Sequence, residues 1–153
     1  MASTYQLFER AERIEAVAAR IYGALAEAFR GDPDARALFA RLQTEEEQHA
    51  SRVRLFGAHY RHDPKLAVEA DRRILDACLA DATRALAEIE AGAWGGDLDA
   101  VRTRLVALED RLAAAHAEII ARSANPAIRA FFEALAGQDE AHARLLAAAR
   151  GRR

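Results

Sequence analysis

The stretch Arg30–His49, RGDPDARALFARLQTEEEQH, is the clearest indication of the fold, because a closely similar stretch occurs again later in the chain. The second copy, RSANPAIRAFFEALAGQDEAH, covers 122–142 and matches the first at an offset of 93 residues, after one additional residue in its loop. In both copies a turn is followed by a proline and then by a long helical pattern. Before the turns the offset is 94 residues. The repeat therefore predicts two similar antiparallel helical hairpins.

The composition favours helices throughout the chain. Alanine occurs 39 times in 153 residues, whereas valine, isoleucine and threonine together occur 16 times, and no stretch has the alternation of a strand. Glycine and proline clusters mark the breaks. We expect one all-α domain over 1–153. Its bundle helices are predicted near 4–30, 33–61, 97–123 and 126–150, and an additional helix near 66–91.

The helix near 66–91 has no counterpart in the repeat, so we place it in a long crossover between the hairpins. The sequence leaves open whether it covers the bundle or joins a neighbouring molecule. A formal net charge of −2 argues against a nucleic-acid or anionic membrane partner. The single cysteine excludes an internal disulfide and a thiolate metal site, and no apolar run is long enough for a membrane span. We expect a cytoplasmic protein.

Each of the four bundle helices has an apolar stripe that is interrupted near its middle by a carboxylate. The second and fourth helices add a histidine one turn later, and the first adds a tyrosine two turns later. Within TEEEQH we expect Glu45, Glu47 and Gln48 to face solvent. The inward-facing candidate ligands are Glu15, Glu46, His49, Glu109, Asp139 and His142.

The spacing of these residues from the turns places them at one depth in the bundle. Glu15 lies 16 residues before Gly31, and Glu46 and His49 lie 15 and 18 residues after it. At about 1.5 Å per residue, all three lie roughly 24 Å from the turn. The second hairpin repeats this spacing around Ala124. We therefore expect the six side chains to converge.

Four carboxylates inside an apolar bundle need a counter-charge, because an isolated buried carboxylate costs several kcal/mol. Two divalent metal ions would supply about four positive charges. Oxygen and nitrogen ligands without thiolate suit iron or manganese better than a structural zinc. The residues alone therefore predict two divalent ions, iron or manganese, and the resemblance described next implies two iron ions with manganese possible at one or both positions.

These residues resemble the ferritin-like di-iron carboxylate superfamily, and within it the rubrerythrin-like branch. The resemblance covers 4–61 and 97–150, and it rests on the two Glu/Asp-x-x-His pairs, on the single glutamates and on Tyr22. It implies a four-helix bundle of two hairpins with a long crossover, often paired as a homodimer. It also implies that the centre activates dioxygen or peroxide, as a ferroxidase or a peroxide reductase, with Tyr22 supplying a proton or an electron.

The chain departs from that family's pattern at several positions. Asp139 replaces a glutamate and has a shorter reach, and His116 stands where the first hairpin has Tyr22. We expect His116 beside the ligands or in the core. Leu112 occupies the position of a further glutamate that takes part in rubrerythrin peroxide chemistry, and with a single cysteine these 153 residues are not expected to include a rubredoxin-like domain. Reductive chemistry would therefore need an external electron donor.

Two other functions stay open at this point. One alternative is an iron-binding or storage module without turnover. The other is a helical interaction domain without metal. A filled site without rapid oxidation would indicate the former. Stability that does not change with a chelator would indicate the latter.

Overall fold

The computed structural model describes residues 4–61 and 72–148, which form five α-helices and no strand. The all-α prediction is confirmed. Where described, the helix ends differ from the predicted ones by one or two residues, because turn hydrogen bonds such as Asp32 N–H to Phe29 O end the helical pattern earlier. The predicted segments 66–71 and 149–150 lie outside the described residues. The helices are α1 (Thr4–Ala28), α2 (Pro33–Tyr60), α3 (Arg72–Glu90), α4 (Leu98–Arg122) and α5 (Pro126–Ala148).

The second helix of each hairpin begins with the same kind of cap. Asp32 accepts hydrogen bonds from the backbone N–H groups of Asp34 and Ala35, both at 3.1 Å. Asn125 does the same for the second and third residues of α5, at 2.9 and 3.2 Å. Each cap is followed by a proline, which needs no hydrogen-bond acceptor at the first helical position. These matched caps give α2 and α5 the same starting point relative to their ligands.

The apolar residues form two clusters, one toward each end of the bundle. One cluster joins the beginning of α1, including Phe8, to the beginning of α5, including Phe132. The other joins the beginning of α2, including Phe39, to the beginning of α4, including Leu105. The two hairpin turns therefore lie at opposite ends of the bundle. The carboxylates and histidines lie between the clusters.

Helix α3 runs from one apolar cluster to the other and so connects the two ends. Its buried face includes Leu75 and Cys78 in the first cluster and Leu86 in the second. It packs chiefly against α1 and to a smaller extent against α4. Within one chain, the described part of this helix therefore covers the bundle. No described helix is both long and apolar enough to cross a membrane.

Candidate metal centre

All six predicted ligands meet between the two apolar clusters. The four carboxylates, Glu15, Glu46, Glu109 and Asp139, are fully buried. His49 and His142 keep about 4% of their surface exposed. Each carboxylate comes from a different helix, because the inward stripe of each bundle helix is polar only near its middle. The convergence expected from the spacing is therefore present in the folded chain.

The six residues form two groups of possible ligands. In each group one oxygen or nitrogen atom per residue lies within 4.8 Å of the corresponding atoms of the others. Two ligands on opposite sides of one ion are about 4.2 Å apart at typical bond lengths near 2.1 Å, so the observed spread is close to that of a coordination shell. Glu46 belongs to both groups. The first group is Glu15, Glu46, His49 and Asp139, and the second is Glu46, Glu109 and His142.

The two histidines contact different oxygens of Glu46. His49 Nδ1 lies 3.0 Å from Glu46 Oε2, and His142 Nδ1 lies 2.9 Å from Glu46 Oε1. The same nitrogen atoms lie 3.6 Å from Glu15 and 3.5 Å from Glu109, respectively. The imidazole rings stack with centroids 5.6 Å apart. Glu46 thus connects the two groups of possible ligands.

Tyr22 and His116 link the hairpins through corresponding contacts. The Tyr22 hydroxyl on α1 donates a short hydrogen bond to Glu109 on α4. In the opposite direction, His116 Nε2 on α4 lies 3.1 Å from Glu15 on α1. His116 Nδ1 also lies 2.6 Å from Asp139. His116 is buried and lies beside candidate ligands of two other helices, in agreement with the expectation that it stands beside the ligands or in the core.

Sequence reasoning missed Glu45 as a site residue. Its carboxylate lies 2.7 Å from His142 Nε2 and accepts a hydrogen bond of 2.9 Å from Arg41. The expectation that Glu45 simply faces solvent is wrong, because α5 lies beside α2 and places His142 in contact with the Glu45 carboxylate. Glu47 and Gln48 are exposed, as expected. No spacing within α2 distinguishes Glu45 from its neighbours.

Several buried ligand atoms lack a hydrogen-bond partner of suitable geometry among the described residues. They include both oxygens of Glu15, one oxygen each of Glu46, Glu109 and Asp139, and Nδ1 of His142. His142 Nδ1 and Glu46 Oε1 are close, yet neither forms a hydrogen bond. Buried polar atoms in proteins nearly always have a partner. Atoms that converge on shared points without satisfying one another fit a site for cations.

Several side chains of the centre have pKa values well above their ordinary ones. Burial and the neighbouring charge of Glu15 raise the pKa of Glu46 to about 8. Burial lowers the pKa of His49, but contacts with Glu15 and Glu46 outweigh it and raise the value to about 9. The pKa of Tyr22 lies well above its usual value because of burial and the charge of Glu109. The cluster therefore retains protons that metal ions would replace.

Comparison of the chain with family models, with curated proteins and with solved structures finds no match. The geometry of the centre is therefore the feature of this chain that points to a function.

Proposed function

We propose that this protein is a di-metal carboxylate protein of ferritin-like type that activates dioxygen or peroxide, as a ferroxidase or a peroxide reductase. The observation that carries the proposal is the pair of buried ligand groups that share Glu46. One shared carboxylate between two groups is the arrangement that two neighbouring cations require. The topology, with two hairpins and a crossover helix, supports the same class.

Charge and ligand type support two iron ions, with manganese as the alternative. Two divalent ions would balance the four carboxylates. Glu15, Asp139 and His49 would hold one ion, Glu109 and His142 the other, and Glu46 both. Such ions would supply the electrons that reduce dioxygen or peroxide. A reductive cycle would draw further electrons from an external donor.

The chain's own residues prepare the site for this chemistry. The apolar clusters on both sides keep bulk water away and strengthen electrostatic interactions in the centre. Tyr22 stays a neutral phenol at physiological pH and holds Glu109 in place through its hydroxyl proton. That proton is the nearest phenolic proton available to the second ligand group. His116 holds Glu15 and Asp139 toward the first ligand group.

A metal-free helical domain is the second candidate, and one observation favours it. The three buried histidines all have raised pKa values, because contacts with carboxylates outweigh the effect of burial. Three imidazolium ions could balance most of the carboxylate charge without any metal. In that case the centre would be a buried ionic layer, and chelators would not alter stability.

Metal analysis decides between these candidates. We would purify the protein without added metal, load it anaerobically with ferrous iron, remove unbound iron and admit air while recording the optical spectrum. The proposal predicts about two irons per chain and a new near-ultraviolet absorption after exposure to air. Glu46→Ala and His142→Ala should lose iron, whereas the exposed neighbour variant Glu47→Ala should not. Absence of iron uptake by the folded wild-type protein would refute the proposal.

Iron uptake without a rapid spectral change after exposure to air would indicate iron storage, and a rapid change would indicate turnover. The rate of the change after addition of air or peroxide also shows which oxidant the centre uses.

A further inference from the structure

An open groove lies between α2 and α5, directly outside the centre. Its volume is about 630 Å³, which lies within the range of small-molecule sites. The α2 wall includes Arg41, Glu45 and Arg52, and the α5 wall includes Gln138 and Arg144. These residues share one face of each helix, so the groove runs along the bundle.

The floor of this groove is formed by His49 and His142. These are the candidate ligands with residual exposure, whereas the four carboxylates are fully buried. A molecule in the groove would therefore reach His49 and His142 before the four buried carboxylates. The groove is thus a direct approach to the centre from solvent.

The charge of the groove is opposite to that of the whole chain. The protein has a net charge of −2, but the groove lining contains three arginines and one glutamate. Arg41 is paired with Glu45. Among the described residues, neither Arg52 nor Arg144 has an acidic side chain within ion-pair distance, so two guanidinium groups face the groove without a counter-charge. A guanidinium group binds carboxylate and phosphate oxygens through paired hydrogen bonds.

We propose that this groove binds a small organic oxyanion, a carboxylate or phosphate compound, between Arg52 and Arg144, with its other end over His49 and His142. Gln138 also lines the groove and adds a neutral polar side chain to its α5 wall. The role of this anion as substrate or activator rests on the proposed function. Its binding does not.

Binding of two simple probes tests the inference and separates the two anion types. We would titrate the protein with succinate and with inorganic phosphate by calorimetry, and use neutral succinamide as the uncharged probe. We expect millimolar binding of at least one anion and none of succinamide. Arg52→Gln and Arg144→Gln should each weaken it about threefold to tenfold, as for a partly exposed charged hydrogen bond. The imidazole NMR signals of His49 and His142 should shift during the titration.

The chain offers matched controls on the same two helices. Arg36 and Arg129 are exposed on α2 and α5 and do not line the groove. Arg36→Gln and Arg129→Gln change the net charge equally, about 24 Å away along the helices. If anion binding weakened equally in all four variants, the cause would be the change in net charge and not a contact in the groove. That result would overturn the inference. So would dissociation constants above about 10 mM for both anions.

Metal analysis of the same preparations keeps the two proposals apart. Iron binding without anion binding would overturn the groove inference alone. Anion binding at the arginines without iron binding would overturn the proposed function alone.

Discussion

The two hairpins have the same frame but different chemistry at their centres. Caps and apolar stripes match between α1–α2 and α4–α5. At the centre, Glu46 of the first hairpin belongs to both ligand groups, whereas its counterpart Asp139 belongs to one. Asp139 is one methylene shorter and contacts His116 instead of His142. A repeated backbone therefore positions two ligand sets that are no longer equivalent.

The residues around the ligands differ in the same way. Tyr22 offers one hydrogen-bond donor, whereas its counterpart His116 contacts two carboxylates. Outside the centre, Glu45 contacts His142, and its counterpart Gln138 is a neutral amide. A repeated scaffold therefore tolerates different side chains where the hairpins meet, provided that the capped starts of α2 and α5 stay the same.

The largest expected difference is between Glu46→Ala and Asp139→Ala. Because Glu46 is shared, its loss should abolish binding of both irons. Loss of Asp139 should remove one and leave about one per chain. Elemental analysis after anaerobic loading measures this directly, with circular dichroism as the check on folding. Equal stoichiometry in the two variants would show that the halves are equivalent.

The next effect concerns His116→Phe and Tyr22→Phe in the metal-free protein. His116→Phe leaves Glu15 and Asp139 without their cationic neighbour, and breaking such a buried pair costs about 3–5 kcal/mol. Tyr22→Phe removes one hydrogen bond to a charged group, about 1.5–3 kcal/mol. Urea unfolding gives both values. A larger cost for the tyrosine variant would reverse the proposed assignment of roles.

A smaller effect is expected from Glu45→Gln, which makes the outer partners of the two halves alike. A carboxylate behind a ligating histidine orients its ring, and its loss typically weakens metal binding about 10- to 100-fold. We expect this loss at the His142 group and unchanged binding at the His49 group. Competition with a coloured chelator resolves the two affinities. The exposed variant Glu47→Gln should behave like the wild type.

The smallest effect is the pH dependence of stability in the metal-free protein. The pKa values of Glu46, His49 and His116 are raised to about 8, 9 and 10. Groups with raised values stabilise the fold below their ordinary pKa, and this contribution is lost as pH rises through the folded value. The melting temperature should therefore fall between pH 7 and pH 9.5.

Melting curves of chelator-treated protein test this, and Glu46→Gln is the informative control because it removes one of the titrating groups. Its melting temperature should fall less over the same range. A stability that rises with pH would contradict the protonated cluster.

The sequence predicts much of the fold because periodicity and breakers are local signals. Pro33 and Pro126 mark the helix starts, and residue counts from the turns place Glu15 and Glu46 at one depth. The contacts between helices follow from packing, which local patterns do not encode. Glu45 shows this limit, because its partner His142 is 97 residues away and on another helix.

His116 shows the same limit from the other side. Counted along α4, it lies two turns from Glu109, so the sequence predicted a place beside the ligands or in the core but did not name its partners. In the fold, its two contacts are with α1 and α5. Axial distance within one helix does not predict distance to ligands on its neighbours.

The contacts across the hairpins also have a mechanical consequence. Tyr22 with Glu109, His116 with Glu15, and Glu46 with His142 all join α1–α2 to α4–α5 within the polar centre. A slide of one hairpin along the bundle axis by one helical turn, about 5.4 Å, would break all three together. The polar centre therefore fixes the axial register of the two hairpins.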